Sequence, residues 1–335
     1  MKQGEQTITF KNGVYINEAT TIAGPMESEG PLGKYFDKTF SDVYCEEKNY
    51  ELAERKLLKE SIIKVLSKTN LTKFDIDLFV SGDLLNQNVS SNYVAREFGF
   101  PFLGVYAACA NIAESLIIGG ILVNSKNANN VICSTVSHNS TAERQYRYPN
   151  EYGGQKPQTA TFTATGAASV LLSKKKAKIK LESVTIGKVI DMGMNNPFDL
   201  GGAMAPAAAD TINQHLTDTN RTPDYYDLIV TGDLSDIGSK VLVDYLKKEY
   251  KLDISKNYND CGLMLYDLKN QEVFSGGSGS ACVALVTFGF LKNRLETGKL
   301  KRILLVATGA LFSPTMIQQK ETIPCIAHAV SLEAI

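Results

Sequence analysis

Apolar and polar positions along the chain fall into an order that occurs twice. The run Leu78-Phe79-Val80-Ser81-Gly82-Asp83-Leu84 reads as a buried strand followed by a turn, and Leu228-Ile229-Val230-Thr231-Gly232-Asp233-Leu234 repeats it 150 positions later. In each case a helix-like segment precedes the run and another follows it. A second pair of segments is longer. Residues 108–124 open on small side chains, continue as an apolar helix and lead to the strand-like Val131-Ile132-Cys133-Ser134-Thr135. Residues 280–293 do the same and lead to Ile303-Leu304-Leu305-Val306-Ala307, now at an offset of 172. The additional 22 positions fall around residues 251–271 and are expected to form an added hairpin.

Strands alternating with helices predict an α/β protein with mixed or parallel sheets covered by helices. Both helices of the second pair are apolar nearly all round, so both should be buried on every side. Two such helices between two sheets would form a layered α-β-α-β-α architecture with duplicated halves. The expected division is residues 1–175 and 176–335, with the boundary in the polar stretch 173–180. The segment 195–206 reads as a loop and helix start early in the second half.

Composition narrows the function classes. Thirty-five Lys and Arg balance 36 Asp and Glu, giving a net charge of −1 without a polybasic run, so neither nucleic acid nor an anionic surface is implied as a partner. The first residues lack the apolar stretch of a signal peptide. The most apolar stretch, residues 116–123, is too short for a bilayer span, so any membrane association is expected to be peripheral. The six cysteines have irregular spacings and no CxxC pair, which predicts reduced thiols and no zinc site.

Candidate chemistry lies at strand ends. Cys109 sits among small residues where a long helix begins, and a helix dipole there would favour a nucleophilic thiolate. A buried structural thiol is the commoner fate of a free cysteine. His138 and Asn139 follow the strand ending near Thr135, at an edge where α/β sheets hold ligands, and Gly309 is their counterpart in the repeat. His138 could serve as acid, base or neutral donor, or be a satisfied turn residue. His215 is expected at the surface. The stretch 141–159 gathers Arg144, Arg147 and Lys156 with Tyr146, Tyr148 and Tyr152. Cationic forks and flat rings suit a planar aromatic dicarboxylate, and they equally suit a protein interface. The glycine clusters match no nucleotide-binding pattern.

With Cys109 opening a helix in duplicated halves, the chain resembles the thiolase superfamily and its ketoacyl synthases. Gly277-Ser278-Gly279-Ser280-Ala281 is similar to their Gly-Asn-Thr-Ser-Ala segment, and Ala307-Thr308-Gly309-Ala310 to the loop that completes their oxyanion hole. Two departures matter: the position of the catalytic histidine holds Gly232 and that of the asparagine holds Ser278. Condensation chemistry is therefore not expected, and acyl transfer through Cys109 is the competing reading.

More specific runs resemble the stage V sporulation protein AD family of endospore-forming bacteria. They include Gly82-Asp83-Leu84-Leu85-Asn86-Gln87-Asn88, Ala203-Met204-Ala205-Pro206 and Ser313-Pro314-Thr315-Met316-Ile317-Gln318-Gln319-Lys320. That resemblance implies binding of dipicolinic acid (pyridine-2,6-dicarboxylate) or its calcium chelate without catalysis or cofactor. It implies integral membrane partners of a spore channel assembly and a place at the inner membrane of the developing spore, while the thiolase resemblance implies a homodimer. The ligand set expected on this basis is Cys109, His138, Asn139, Arg144, Arg147, Lys156 and Gly309, with Glu143 relevant if calcium accompanies the ligand.

Overall fold

The computed structural model describes residues 1–146 and 155–335. Two five-strand units with one topology form the main path of a 13-stranded sheet. In the first, the strands run in the spatial order Phe102–Gly104, Leu78–Gly82, Asn130–Ser137, Gly166–Ser173, Tyr15–Ala23. In the second, the corresponding order is Tyr258–Asp260, Leu228–Thr231, Arg302–Ala310, Cys325–Ala334, Ile179–Thr185. The first three strands of each unit are parallel and the last two antiparallel, in both. The units meet where Ile179 and Lys180 pair with Ile16 and Tyr15.

Sequence dictates which faces are covered. In Asn130–Ser137 every residue after Asn130 is buried, as a continuous β-branched and small-residue run requires when helices cover both faces. The apolar helices Asn111–Ser125 and Ser280–Glu296 form the middle layer; the second widens into π-type turns over Val286–Leu291. The first of them touches Leu78–Gly82 and Asn130–Ser137 on one side and Arg302–Ala310 and Cys325–Ala334 on the other. Gly119 makes this approach possible, since a Cβ there would lie 2.6 Å from the Cys133 sulfur.

Helix Tyr50–Thr69 covers the outer face of the first unit, burying Leu57, Leu58, Ile62 and Val65 against Phe79, Ile132 and Leu171. Helix Leu200–Thr219 covers the second, with Ala205, Ala208 and Ile212 against Leu304, Val306 and Ala329. The fold therefore has the five layers and duplicated halves expected from the repeat. The stretch Ala108–Ser125 is, at 18 residues, long and apolar enough to cross a membrane. That exceeds the short span expected from residues 116–123, and burial between two sheets accounts for its apolarity.

Two expectations are corrected. The extra residues of the second half do not form a hairpin: Tyr258–Asp260 pairs in parallel with Leu228–Thr231, as Phe102–Gly104 does with Leu78–Gly82, and the surplus forms the short helix Cys261–Leu265 and the turn after it. His215 is fully buried, not superficial. Its Nδ1 meets the Thr185 hydroxyl at 2.7 Å and its Nε2 meets that of Tyr226 at 2.6 Å, and burial pushes its pKa down to about 3.

Candidate functional site

Cys109 lies in a single turn, Ala108–Ala110, that leads into helix Asn111–Ser125. Ala108 is held at φ +50°, a conformation costing a residue with a side chain about 1 kcal/mol. Asn111 fixes the turn: its Oδ1 accepts from Ala107 N–H at 2.7 Å and its Nδ2 donates to the Asp83 carbonyl at 3.2 Å. Gly309, on the strand facing the turn, has no room for a side chain, because a Cβ would stand 2.1 Å from the Ala107 oxygen.

Above Cys109 a narrow cavity of about 50 Å³ opens, lined by residues of both halves. Tyr106, Tyr146 and Phe312 supply aromatic wall, and Leu84, Leu200 and Met204 aliphatic wall. The Tyr106 hydroxyl donates to that of Tyr146 at 2.9 Å, which donates onward to the Leu84 carbonyl. Tyr146 meets Phe312 edge to face at 5.8 Å between centroids. Thr163, Ser278, Gly279 and Glu143 are the polar lining beside Cys109. Glu143 accepts from Lys156 Nζ at 2.8 Å and from the Thr163 hydroxyl at 3.4 Å.

The thiol is not activated. Burial, the nearby Asp233 carboxyl and a hydrogen bond to it push Cys109 well above the ordinary thiol value. Of the two readings of Cys109, the unactivated thiol fits: desolvation and an adjacent acid outweigh the dipole. Asp233 was not foreseen. The resemblance placed the missing histidine's counterpart at Gly232, but the side chain that reaches the sulfur belongs to the next residue. A signal was available, since Gly-Asp-Leu ends the repeated strand in both halves. Thr308 lies in the loop singled out by the resemblance, though its own part was not foreseen; Phe312 was missed, and no local pattern marks it.

The expected ligand residues are only partly brought together. Cys109 lines the cavity, while Lys156 stands behind Glu143 as its ion partner. Gly309 shapes the cysteine turn from behind. His138 is fully buried outside the lining: its Nε2–H donates to the Val43 carbonyl at 2.7 Å and its Nδ1 accepts from Ser140 N–H at 3.2 Å. Burial lowers its pKa, so it is a neutral structural residue, which corrects its assignment to the pocket. Asn139 is likewise turned away, its Nδ2 donating to the Thr163 carbonyl at 3.1 Å and so fixing a lining strand. Arg144 is drawn to the surface by an ion pair with Glu51. Arg147, Tyr148 and Tyr152 lie outside the described residues.

This is the duplicated, five-layered architecture of thiolase-like proteins, with Cys109 in the turn that opens a central helix and the Asp233 carboxyl beside it. Solved structures agree on the fold. 3-Oxoacyl-[acyl-carrier-protein] synthase III from Aquifex aeolicus VF5 is 15% identical, with 99% of each chain covered and a TM-score of 0.56. Human mitochondrial 3-ketoacyl-CoA thiolase in complex with CoA is 14% identical, covering 99% of this chain and 100% of that one, with a TM-score of 0.61. The profile described as Stage V sporulation protein AD matches residues 4–333. Stage V sporulation protein AD of Bacillus subtilis (strain 168) is 52% identical over 330 residues, 98% of this chain and 97% of that protein. The chain belongs to the stage V sporulation protein AD family.

Proposed function

We propose that the cavity above Cys109 binds dipicolinic acid, or its calcium chelate, without turning it over. In this reading the protein supports uptake of the compound into the developing spore as the peripheral component of a membrane channel assembly. The observation that carries it is the lining itself: flat aromatic faces beside Glu143, which is paired with Lys156 from behind, over a thiol held neutral. A planar pyridine dicarboxylate needs faces to stack on and a cation for a carboxylate. Lys156 can serve the free acid, and Glu143 can serve a chelated calcium through a hard oxygen ligand. Membership in a sporulation family supports the setting. Integral membrane partners at the spore inner membrane belong to the same reading. So does a homodimer, for which the edge strand Phe102–Gly104, with Leu103 45% exposed, would provide the seam.

Calorimetric titration tests the ligand. Wild-type protein should bind dipicolinate both with and without equimolar calcium. Lys156→Ala should weaken the free acid by about tenfold, the loss of one charge-assisted contact. Glu143→Gln should weaken only the chelate. Absence of any heat with wild type would remove this reading. An acyl adduct on Cys109 after incubation with acyl-CoA, seen by mass spectrometry, would favour acyl transfer instead.

A further inference from the structure

Asp233 is fully buried, and donors from three separate segments converge on its carboxyl group. Oδ1 accepts from the Thr308 hydroxyl at 2.6 Å; Oδ2 accepts from the Ser278 hydroxyl at 2.9 Å and from Gly279 N–H at 3.2 Å. The fourth contact is the Cys109 thiol. Serine, threonine, a glycine N–H and a thiol around one point form the kind of donor cluster that accepts an anionic oxygen.

The repeat makes this placement informative. Asp83 is the counterpart of Asp233, and its carboxyl caps its own following loop, accepting from Leu85 N–H at 3.1 Å and Ser91 N–H at 2.8 Å. In the second half that capping task falls to another residue. Asp260 accepts from Leu234 N–H and from Ser235 N–H, both at 2.9 Å. Asp260 lies opposite Thr231, and the equivalent place opposite Ser81 is Gly104, which has no side chain to offer. Asp233 is thereby released from its loop and crosses to the donors around Cys109.

We infer that Asp233 is a built-in occupant of an anion hole, a positioning residue that fills the donor cluster and holds Cys109 as an unreactive thiol. Its carboxyl stands where an oxygen of an acyl group attached to Cys109 would seek stabilisation. The cavity is closed to thioester chemistry by an intramolecular carboxyl as well as by a missing base. This holds whatever small molecule the cavity binds. Ser278 and Gly279 then face the cavity with their polar hydrogens already committed, and a ligand meets a finished surface instead of an open hole.

The other five cysteines are buried, so alkylation of the native protein by iodoacetamide reports on Cys109, with peptide mass spectrometry to assign the site. Asp233→Ala should label severalfold faster than wild type near neutral pH, because removing the adjacent carboxyl favours the thiolate. Added sodium acetate should slow that labelling back toward the wild-type rate and raise the melting temperature of the variant, with sodium chloride at equal ionic strength doing neither. Asp233→Asn preserves shape, so it answers for a poorly folded alanine variant. It should also label faster, and acetate should not slow it because the amide fills the hole. Wild-type labelling rates in the folded variants would overturn the inference. So would an Asp233→Ala protein that labels fast but shows no response to acetate.

Discussion

Replacing Gly309 by alanine adds one methyl group and should move the cysteine turn. The new Cβ would stand 2.1 Å from the Ala107 oxygen, 3.2 Å from the Ala107 carbonyl carbon and 3.3 Å from Ala110 N. A carbon–oxygen contact settles at about 3.3 Å, so strand and turn must separate by roughly 1 Å. Neither side yields easily. The strand is paired with Cys325–Ala334 through Gly309 opposite Ile326, and the turn is tied by Asn111 at 2.7 Å. Overpacking of this kind costs about 1–3 kcal/mol, and clashing backbone on both sides points to the upper half of that range. Gly298→Ala is the control: at φ +71° with nothing within 4 Å of its Cβ, it is strained only by its left-handed backbone, about 1 kcal/mol. Urea unfolding of both variants gives the two losses, and iodoacetamide labelling of Cys109 shows whether the turn has moved. Gly309→Ala should lose about 2–3 kcal/mol and change its labelling rate; Gly298→Ala should lose less and label like wild type. Equal losses, or an unchanged labelling rate in Gly309→Ala, would refute the steric reasoning.

Two further outcomes follow from buried charge. Burial raises the Glu27 carboxyl from 4.5 to about 7, against hydrogen bonds from Tyr266 and the Thr165 N–H. The folded state keeps a proton that the unfolded chain has lost across that window. Glu27 therefore subtracts stability as pH rises through it, by on the order of 3 kcal/mol once complete. Glu27→Gln should flatten the fall in unfolding free energy between about pH 5 and pH 8, and parallel curves for variant and wild type would contradict this. Glu182 is the opposite case. Arg221 grips it with two hydrogen bonds of 2.6 and 2.9 Å, and these, with one from Ser331, hold its pKa below the ordinary value despite burial. Its stabilisation is present above the unfolded value and fades as pH falls, so Arg221→Ala should cost about 3 kcal/mol near neutrality and progressively less in acid. A pH-independent cost, read from urea midpoints, would speak against the ion pair.

The fold was legible because burial on all sides leaves a compositional trace. Residues 112–123 and 281–291 lack a polar face, and a helix without one must lie between two sheets. The repeated Gly-Asp-Leu ends revealed the duplication for a related reason, since both copies must turn the chain at the same strand end. The site was less legible because it depends on side-chain direction. His138 follows a strand end as a ligand residue would, yet its ring turns to the Val43 carbonyl. Arg144 has the chemistry to hold a carboxylate and finds one in Glu51 of its own chain. The extra residues near 251–271 gave no periodic cue to separate a hairpin from an edge strand with a short helix. Asp83 and Asp233 sit in identical tripeptides, and the residue on the neighbouring strand, Gly104 opposite Ser81 or Asp260 opposite Thr231, decides where the carboxyl points.

That last contrast constrains history as well as structure. An ancestral half resembling today's first would have needed its aspartate to hold its own loop. Moving that side chain to the cysteine would have left Leu234 and Ser235 with unpaired buried amides. The carboxylate at 260 is what meets those two amides in the present chain. The same dependence runs backwards: once Asp233 had left, Asp260 could no longer be lost without undoing the loop. What looks like two acids at one site is a linked pair, in which neither carboxyl can be removed alone without leaving buried donors unpaired.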